Sequence, residues 1–222
     1  TSHQIQASGA TELSQYAFTA NYFSQDSPVV FVGYERASIR LNSSTKTLNK
    51  RLTIGENFTL SMDNRKGGFG NNGEQNAVSG SYKHHPLLPV YDITGPGGNE
   101  YGGFSGSRGA NLGNNNNPYA RLSRNQDNRS KRFRAFGSVF AEAIIADKIT
   151  AKSTFGFDVV GRRGLYIGRP QPEYIEGNFV NGSTSLFQNS YQWNFTNTLT
   201  YSETFNDIHN VEALVGVEAV EA

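Results

Sequence analysis

Cysteine is missing from this 222-residue chain. Its absence excludes a disulfide framework and any thiolate metal site, and it suits a protein that crosses an oxidising compartment without stray pairing. Long hydrophobic runs are missing too: no window approaches 18 consecutive apolar residues, so the sequence offers no transmembrane helix. Nor is there an excess of one charge. Lys+Arg (20) and Asp+Glu (19) nearly cancel, and a net +1 supplies no broad basic field of the kind nucleic acid requires. The first residues, Thr1-Ser2-His3-Gln4, are polar and form no signal peptide. The chain therefore reads as a mature or internal segment whose targeting information lies elsewhere.

Catalytic signatures are equally scarce. There is no GxSxG elbow, and the acidic residues show no spacing that pairs them for hydrolysis. Gly68-Phe69-Gly70-Asn71-Asn72-Gly73 matches GxGxxG, but polar residues flank it where a dinucleotide site needs a buried strand and a helix. It reads as a loop. His84-His85 lacks a supporting Cys or HExxH pattern, so the pair reads as exposed loop imidazoles, not metal ligands. The sequons at Asn57 and Asn194 fall inside predicted strands and carry little weight. No enzyme activity and no cofactor is expected.

What is present is glycine (24), Phe (15), Tyr (11) and abundant Asn, with only 36% hydrophobic residues. That mixture suits strands joined by polar loops better than helices. Period-two alternation recurs eight times. Tyr191, Trp193, Phe195, Leu199 and Tyr201 share one face, and Gln192, Asn194, Thr196, Thr198 and Thr200 the other. Leu52, Ile54, Phe58, Leu60 and Met62 share a face interrupted by Glu56. The same rule organises residues 16–22, 36–42, 132–143, 151–159 and 211–219, and more weakly 3–9. Alternation by itself also fits a soluble β-sandwich or solenoid.

The connections separate these readings. Short turns near Thr11–Ser14, Leu48–Lys50, Asp147–Lys148 and Glu203–Asp207 alternate with longer loops over 24–33, 66–128 and 164–186. An outer-membrane barrel keeps this rhythm because every second connection lies on the same side of the bilayer, whereas a sandwich has no reason to. The strands at 132–145 and 150–161 also exceed ordinary globular length and match what a tilted crossing needs. Aromatics near strand ends (Tyr16, Tyr22, Phe133, Tyr191, Tyr201) suit interfacial girdles. The expected fold is all-β, an antiparallel transmembrane β-barrel segment of about eight strands, with one face toward lipid and the other toward an aqueous or protein-filled interior.

The long loop holds more than half of the glycines, the run Asn114–Asn117, and the proline-pinned island Pro86–Asp92. Loops of this length are usually functional. Tyr91, Tyr101, Phe104 and Arg108 are its candidate substrate or partner contacts, since aromatic rings and Arg suit a sugar face or a peptide. Packing of the loop onto itself is an equally good account of them.

In collinear order, several stretches resemble the barrel of SusC/RagA-family TonB-linked outer-membrane transporters. They are Ser8–Tyr16, Gly33–Asn42, Leu52–Phe58, Pro86–Asp92, Asn117–Leu122, Phe155–Asp158 and Trp193–Tyr201. The resemblance implies a barrel of about 22 strands with a plugged lumen. It implies TonB-powered import of glycan or peptide oligomers across the Gram-negative outer membrane, beneath a SusD-like surface lipoprotein. On this reading residues 1–222 are early barrel strands, and the plug domain and TonB box are not among them. Two alternatives stand beside it. One is a self-contained eight-stranded barrel serving as adhesin or structural anchor, in which Arg36, Arg40, Arg132, Arg134, Glu142 and Asp158 must pair inside a narrow lumen. The other is a soluble surface-binding β-domain.

Overall fold

A computed structural model describes residues 1–68, 77–92, 103–110, 114 and 116–221. Eight strands follow one another in a single antiparallel sheet in which every strand pairs with its neighbours in sequence. They are β1 (Ser2–Ala10), β2 (Ser14–Asp26), β3 (Gly33–Thr47), β4 (Leu52–Lys66), β5 (Arg129–Ala146), β6 (Ile149–Gly168), β7 (Gly182–Phe205) and β8 (His209–Glu221). Three short helices, α1 (Ala77–Lys83), α2 (Ser107–Ala110) and α3 (Pro118–Arg124), lie in the long β4–β5 connection. No helix among the described residues is long and apolar enough to cross a membrane.

All eight expected strands form, and each is longer than its alternating core. β2 runs on to Asp26, and β6 and β7 stay paired out to Gly168↔Gly182. The loops expected over 24–33 and 164–186 therefore shrink to 27–32 and 169–181. The reason is physical: where both faces of a strand meet water, the ladder continues but the apolar alternation that announces it fades. The short turns keep their places, though β2 already starts at Ser14 and β7 runs to Phe205, which leaves turns at 11–13 and 206–208. Leu48, Asn49 and Lys50 take φ of 50°, 56° and 67°, and Asn206 and Asp207 take 52° and 55°, a conformation that Asn and Asp tolerate better than most residues.

Register assigns every side chain to a face, because directly paired residues point the same way. One row reads Tyr22, Ala37, Met62, Phe133; the next reads Ala20, Ile39, Leu60, Ala135, Val159, Tyr191. This apolar face has no protein cover: Met62 is 57% exposed and Tyr191 64%. The buried hydrophobic residues among those described, Leu88, Ala120, Leu122 and Tyr174, all lie in loops. The sheet has no core of its own. Along β5 the apolar positions run from Phe133 to Ala143, ten residue steps or roughly 34 Å of strand, which projects to about 25 Å at a tilt of about 45°. The row Glu35, Asn64, Lys131, Arg163 closes the band at the loop-rich end.

The opposite face is polar, and several of its charges are paired, though Arg40 and Lys46 form no ion pair among the described residues. Asp63, 2% exposed, sits in a row with Arg36 and Arg132. It accepts from Arg132 Nε at 2.6 Å and from the Tyr34 hydroxyl at 3.0 Å, and Arg36 lies 3.7 Å away. Arg134 grips Asp158 with two bonds of 2.9 and 2.6 Å, and Lys152 reaches Glu142 at 3.5 Å. Glu56 is the exception on the apolar face, where the Ser43 hydroxyl donates to it at 2.6 Å.

No pairing joins β1 to β8 among the described residues, so the sheet stays open. Its strands meet closely at Gly137, where a Cβ would stand 2.1 Å from the Asn57 carbonyl oxygen on β4. Gly137→Ala is expected to lower stability by about 1–3 kcal/mol through forced strand separation. Ala135→Gly, two residues earlier on the same face, should lose roughly 1 kcal/mol or less. Urea unfolding of the two variants, read as shifts in midpoint, checks the ranking.

Candidate functional site

The long connection folds back over the polar end of the sheet and is tied down at its neck. Gly67 N–H donates to the Asn128 carbonyl at 2.9 Å, and the Asn128 side-chain oxygen accepts from Ile167 N–H at 2.8 Å. Asn117-Pro118 starts α3 as helix physics favours, with an Asn N-cap and Pro at the first helical position. The Asn117 amide is fully buried and uses both ends: its oxygen accepts from Ala120 N–H at 3.1 Å, while its nitrogen donates to the Val90 and Ser105 carbonyls at 2.8 and 2.9 Å. One side chain thereby joins three passes of the loop.

Two of the four candidate contact residues, Tyr91 and Phe104, lie around it. Tyr91 and Phe104 pair as an isolated antiparallel bridge with stacked rings 5.5 Å apart, and Tyr119 meets both, at 5.9 and 6.3 Å. Phe31, from the β2–β3 loop, packs against Tyr119 at 5.8 Å. Arg108 lies apart from the rings: it donates to the Tyr174 and Ile175 carbonyls at 3.3 and 3.1 Å and stands 4.6 Å over the Phe179 ring. Tyr101 is outside the described residues, as are residues 69–73 of the glycine motif. Tyr91 is half exposed. His84 and His85 are half-buried, not exposed: the Pro86–Leu88 turn bonds to both rings, through Leu88 O at 3.0 Å and Leu87 N–H at 3.2 Å.

Sequence reasoning missed the residues that hold this assembly together. Arg124 forms a two-pronged pair with Glu173, itself 1% exposed, and lies 5.1 Å over Phe104. Arg169 pairs with Asp127. The β4–β5 and β6–β7 loops are thus one packed cap. The helix start at Asn117-Pro118 was not read from the sequence, and nothing local marks Glu173 as the partner of a residue 49 positions away.

Between cap and sheet opens a cleft of about 1100 Å³. Tyr34, Arg65, Ser130 and Arg162 line it from the polar face of β3–β6, and Arg121 and Asn125 from α3 and its C-cap. A smaller recess lined by Asp63, Arg132 and Arg162 continues it toward the middle of the sheet. Burial pulls the Arg121 guanidinium below its ordinary value, with Tyr174 opposing the shift; a guanidinium nevertheless stays charged. No group of His and acidic residues suited to hold a metal occurs among the described residues.

Asn117→Ala removes a cap and leaves two loop carbonyls without their donor, an expected loss of about 2 kcal/mol or more confined to the cap. Hydrogen exchange checks this: amides in 103–108 and 119–124 should exchange faster while those of β5 and β6 stay protected.

No protein-family profile matches the chain. TonB-dependent receptor P3 of Formosa agariphila is 28% identical over 96% of this chain and 20% of its own length, and TonB-dependent receptor P26 of the same organism is 25% identical with the same coverage. The chain thus spans about a fifth of the length of the curated relatives it matches. Among solved structures, the RagAB peptide transporter aligns over 99% of this chain and 24% of its own, with a TM-score of 0.71 at 20% identity. The ferric-catecholate import receptor Fiu of E. coli aligns over 98% with a TM-score of 0.51 at 12% identity. Over nearly its whole length, this chain is similar in sequence to a segment of TonB-dependent receptors and in fold to a segment of the SusC-like RagA-type transporter barrel.

Proposed function

We propose that residues 1–222 form part of the wall of a larger outer-membrane barrel, of about 22 strands, in a TonB-dependent transporter. On this reading the transporter imports oligosaccharides or oligopeptides. The observation that carries the reading is an open sheet with one uncovered apolar face and one polar face. In water such a face would collapse onto a partner layer; in a bilayer it meets acyl chains, and every backbone group is satisfied between strands. The free edges of β1 and β8 need further strands on both sides, which argues against a self-contained eight-stranded adhesin barrel.

The polar face then lines the lumen, the short turns face the periplasm, and the cap lies outside the cell. A SusD-like surface lipoprotein covers that outer end, and the TonB complex acts through other parts of the protein. Within the cap, Tyr91 has the exposed ring best placed to touch cargo or lipoprotein; Tyr101, Phe104 and Arg108 complete the proposed contact set. The role is transport, with no chemical step.

The orientation is testable because the chain lacks cysteine. In a cysteine-free version of the full-length protein, Leu87→Cys should react with a membrane-impermeant maleimide on intact cells, and Asn49→Cys only after the envelope is opened. The reverse pattern would sink the proposed topology. Deleting TonB or the lipoprotein should abolish growth on the imported oligomer; unchanged growth would remove the transport reading.

The two faces differ in how they tolerate charge. Leu60→Arg, on the apolar face, is expected to destabilise the membrane-inserted barrel by about 2–4 kcal/mol, whereas Asn57→Arg on the polar face should change it little. Urea titrations in lipid vesicles distinguish the two.

A further inference from the structure

The apolar face carries cations at one place. By register the strands put Lys66, Arg129, Lys131 and Arg163 on this face, all in its two rows nearest the cap. From Met62 and Phe133 down to the short turns, no strand sets another lysine or arginine on it. Lys131 and Arg163 are direct partners across β5 and β6, which holds their Cβ atoms roughly 5 Å apart. Lys66 and Arg129 are direct partners one row further out, where they also border the mouth of the cleft. Lys66, Lys131 and Arg163 are exposed.

Like charges set opposite one another on a sheet repel. None of these cations forms an ion pair among the described residues. Two acids share their rows, Asp26 on β2 and Glu35 on β3. Glu35 is diagonal to Lys66 and accepts from Asn64 Nδ2 at 3.2 Å, but Lys131 lies two strands from it, roughly 10 Å. Arg129 donates to the Gln126 and Asn128 carbonyls at 2.6 and 2.9 Å, and the neighbouring Asp127 is taken by Arg169. The far margin is built differently: there Glu203, on the apolar face of β7, takes Lys148 from the turn.

Water alone gives no reason to set Lys131 against Arg163, whereas a bound anion does. The surroundings say what kind of anion. Met62 and Phe133 are exposed in the next row down, and Phe187, the β7 partner of Arg163, is exposed beside it with the guanidinium 5.9 Å from its ring. A ligand here must join an anionic head to an apolar body. Arg and Lys both suit phosphate, as a fork and as a point charge, and basic clusters at the edge of an apolar span attract anionic lipid.

We infer that Lys131 and Arg163 bind the phosphate of a glycolipid headgroup in the outer leaflet, with Lys66 and Arg129 adding to the field from one row above. The acyl chains lie on Met62, Phe133 and the apolar rows below. The inference rests on the membrane orientation proposed above, which puts the cap outside the cell.

The test uses the full-length transporter in detergent and native mass spectrometry of the lipid it retains. The probes are bisphosphorylated lipid A and the same lipid stripped of both phosphates. Wild type should hold the phosphorylated form roughly tenfold or more tightly. K131Q/R163Q should lose that margin, bind the stripped lipid as before, and keep the heat-modified gel mobility of a folded barrel. R40Q/K46Q removes two cations of the polar face that likewise form no ion pair, and it should keep the margin. Equal retention of the two lipids by wild type overturns the inference. So does a folded K131Q/R163Q that keeps the preference, or an R40Q/K46Q that loses it, since bulk charge would then be the cause. A phosphate preference that depends on Lys131 and Arg163, together with the reversed maleimide pattern on cells, keeps the phosphate site and refutes the orientation instead.

Discussion

Lateral backbone hydrogen bonding governs this structure. Each strand meets its neighbours residue by residue, over twenty positions between β6 and β7, so the sheet does not depend on a second layer to satisfy its polar groups. That freedom lets one face stay uncovered. In a soluble protein the burial of side chains such as Phe133, Tyr191 and Phe195 would be the main source of stability; here those side chains point outward, and hydrophobic packing is moved to the loops. Leu88, Ala120, Leu122 and Tyr174, the buried hydrophobic residues among those described, all lie within the cap itself.

The cap and the sheet follow different rules for the same residue types. On the polar face, Arg and Asp are paired across adjacent strands, where register sets their distance. In the cap, Arg124 and Glu173 come from connections that are distant in sequence, and their two-pronged contact does the work that strand pairing does elsewhere. Arg108 adds to it by binding carbonyls of the same β6–β7 loop. Two loops that leave the sheet at separate points are thereby held as one body over the cleft.

Strand positions were legible in the sequence because period two is imposed locally, by the pleat, wherever the two faces meet different media. The same physics explains where reading failed. Beyond Ser24 and Gly164 both faces meet water, so the alternation stops while pairing goes on. The rhythm of short and long connections was legible because turn residues announce themselves, as Asn49 and Asn206-Asp207 do. The cleft was not legible. Arg65, Arg121 and Arg162 stand far apart in sequence, and only the register and the fold of the loop bring them together. Of the aromatic residues singled out in the long loop, Tyr91 and Phe104 pack against each other, and Tyr119, which completes their cluster, carried no signal in the sequence.

Asp63 carries a consequence for assembly. Three side chains from two neighbouring strands, Arg36 and Tyr34 of β3 and Arg132 of β5, converge on this one carboxylate of β4. Slippage of β4 by a single residue would turn it to the apolar face and leave two guanidinium groups without their carboxylate. The triad therefore fixes the register of β3, β4 and β5 at the centre of the polar face.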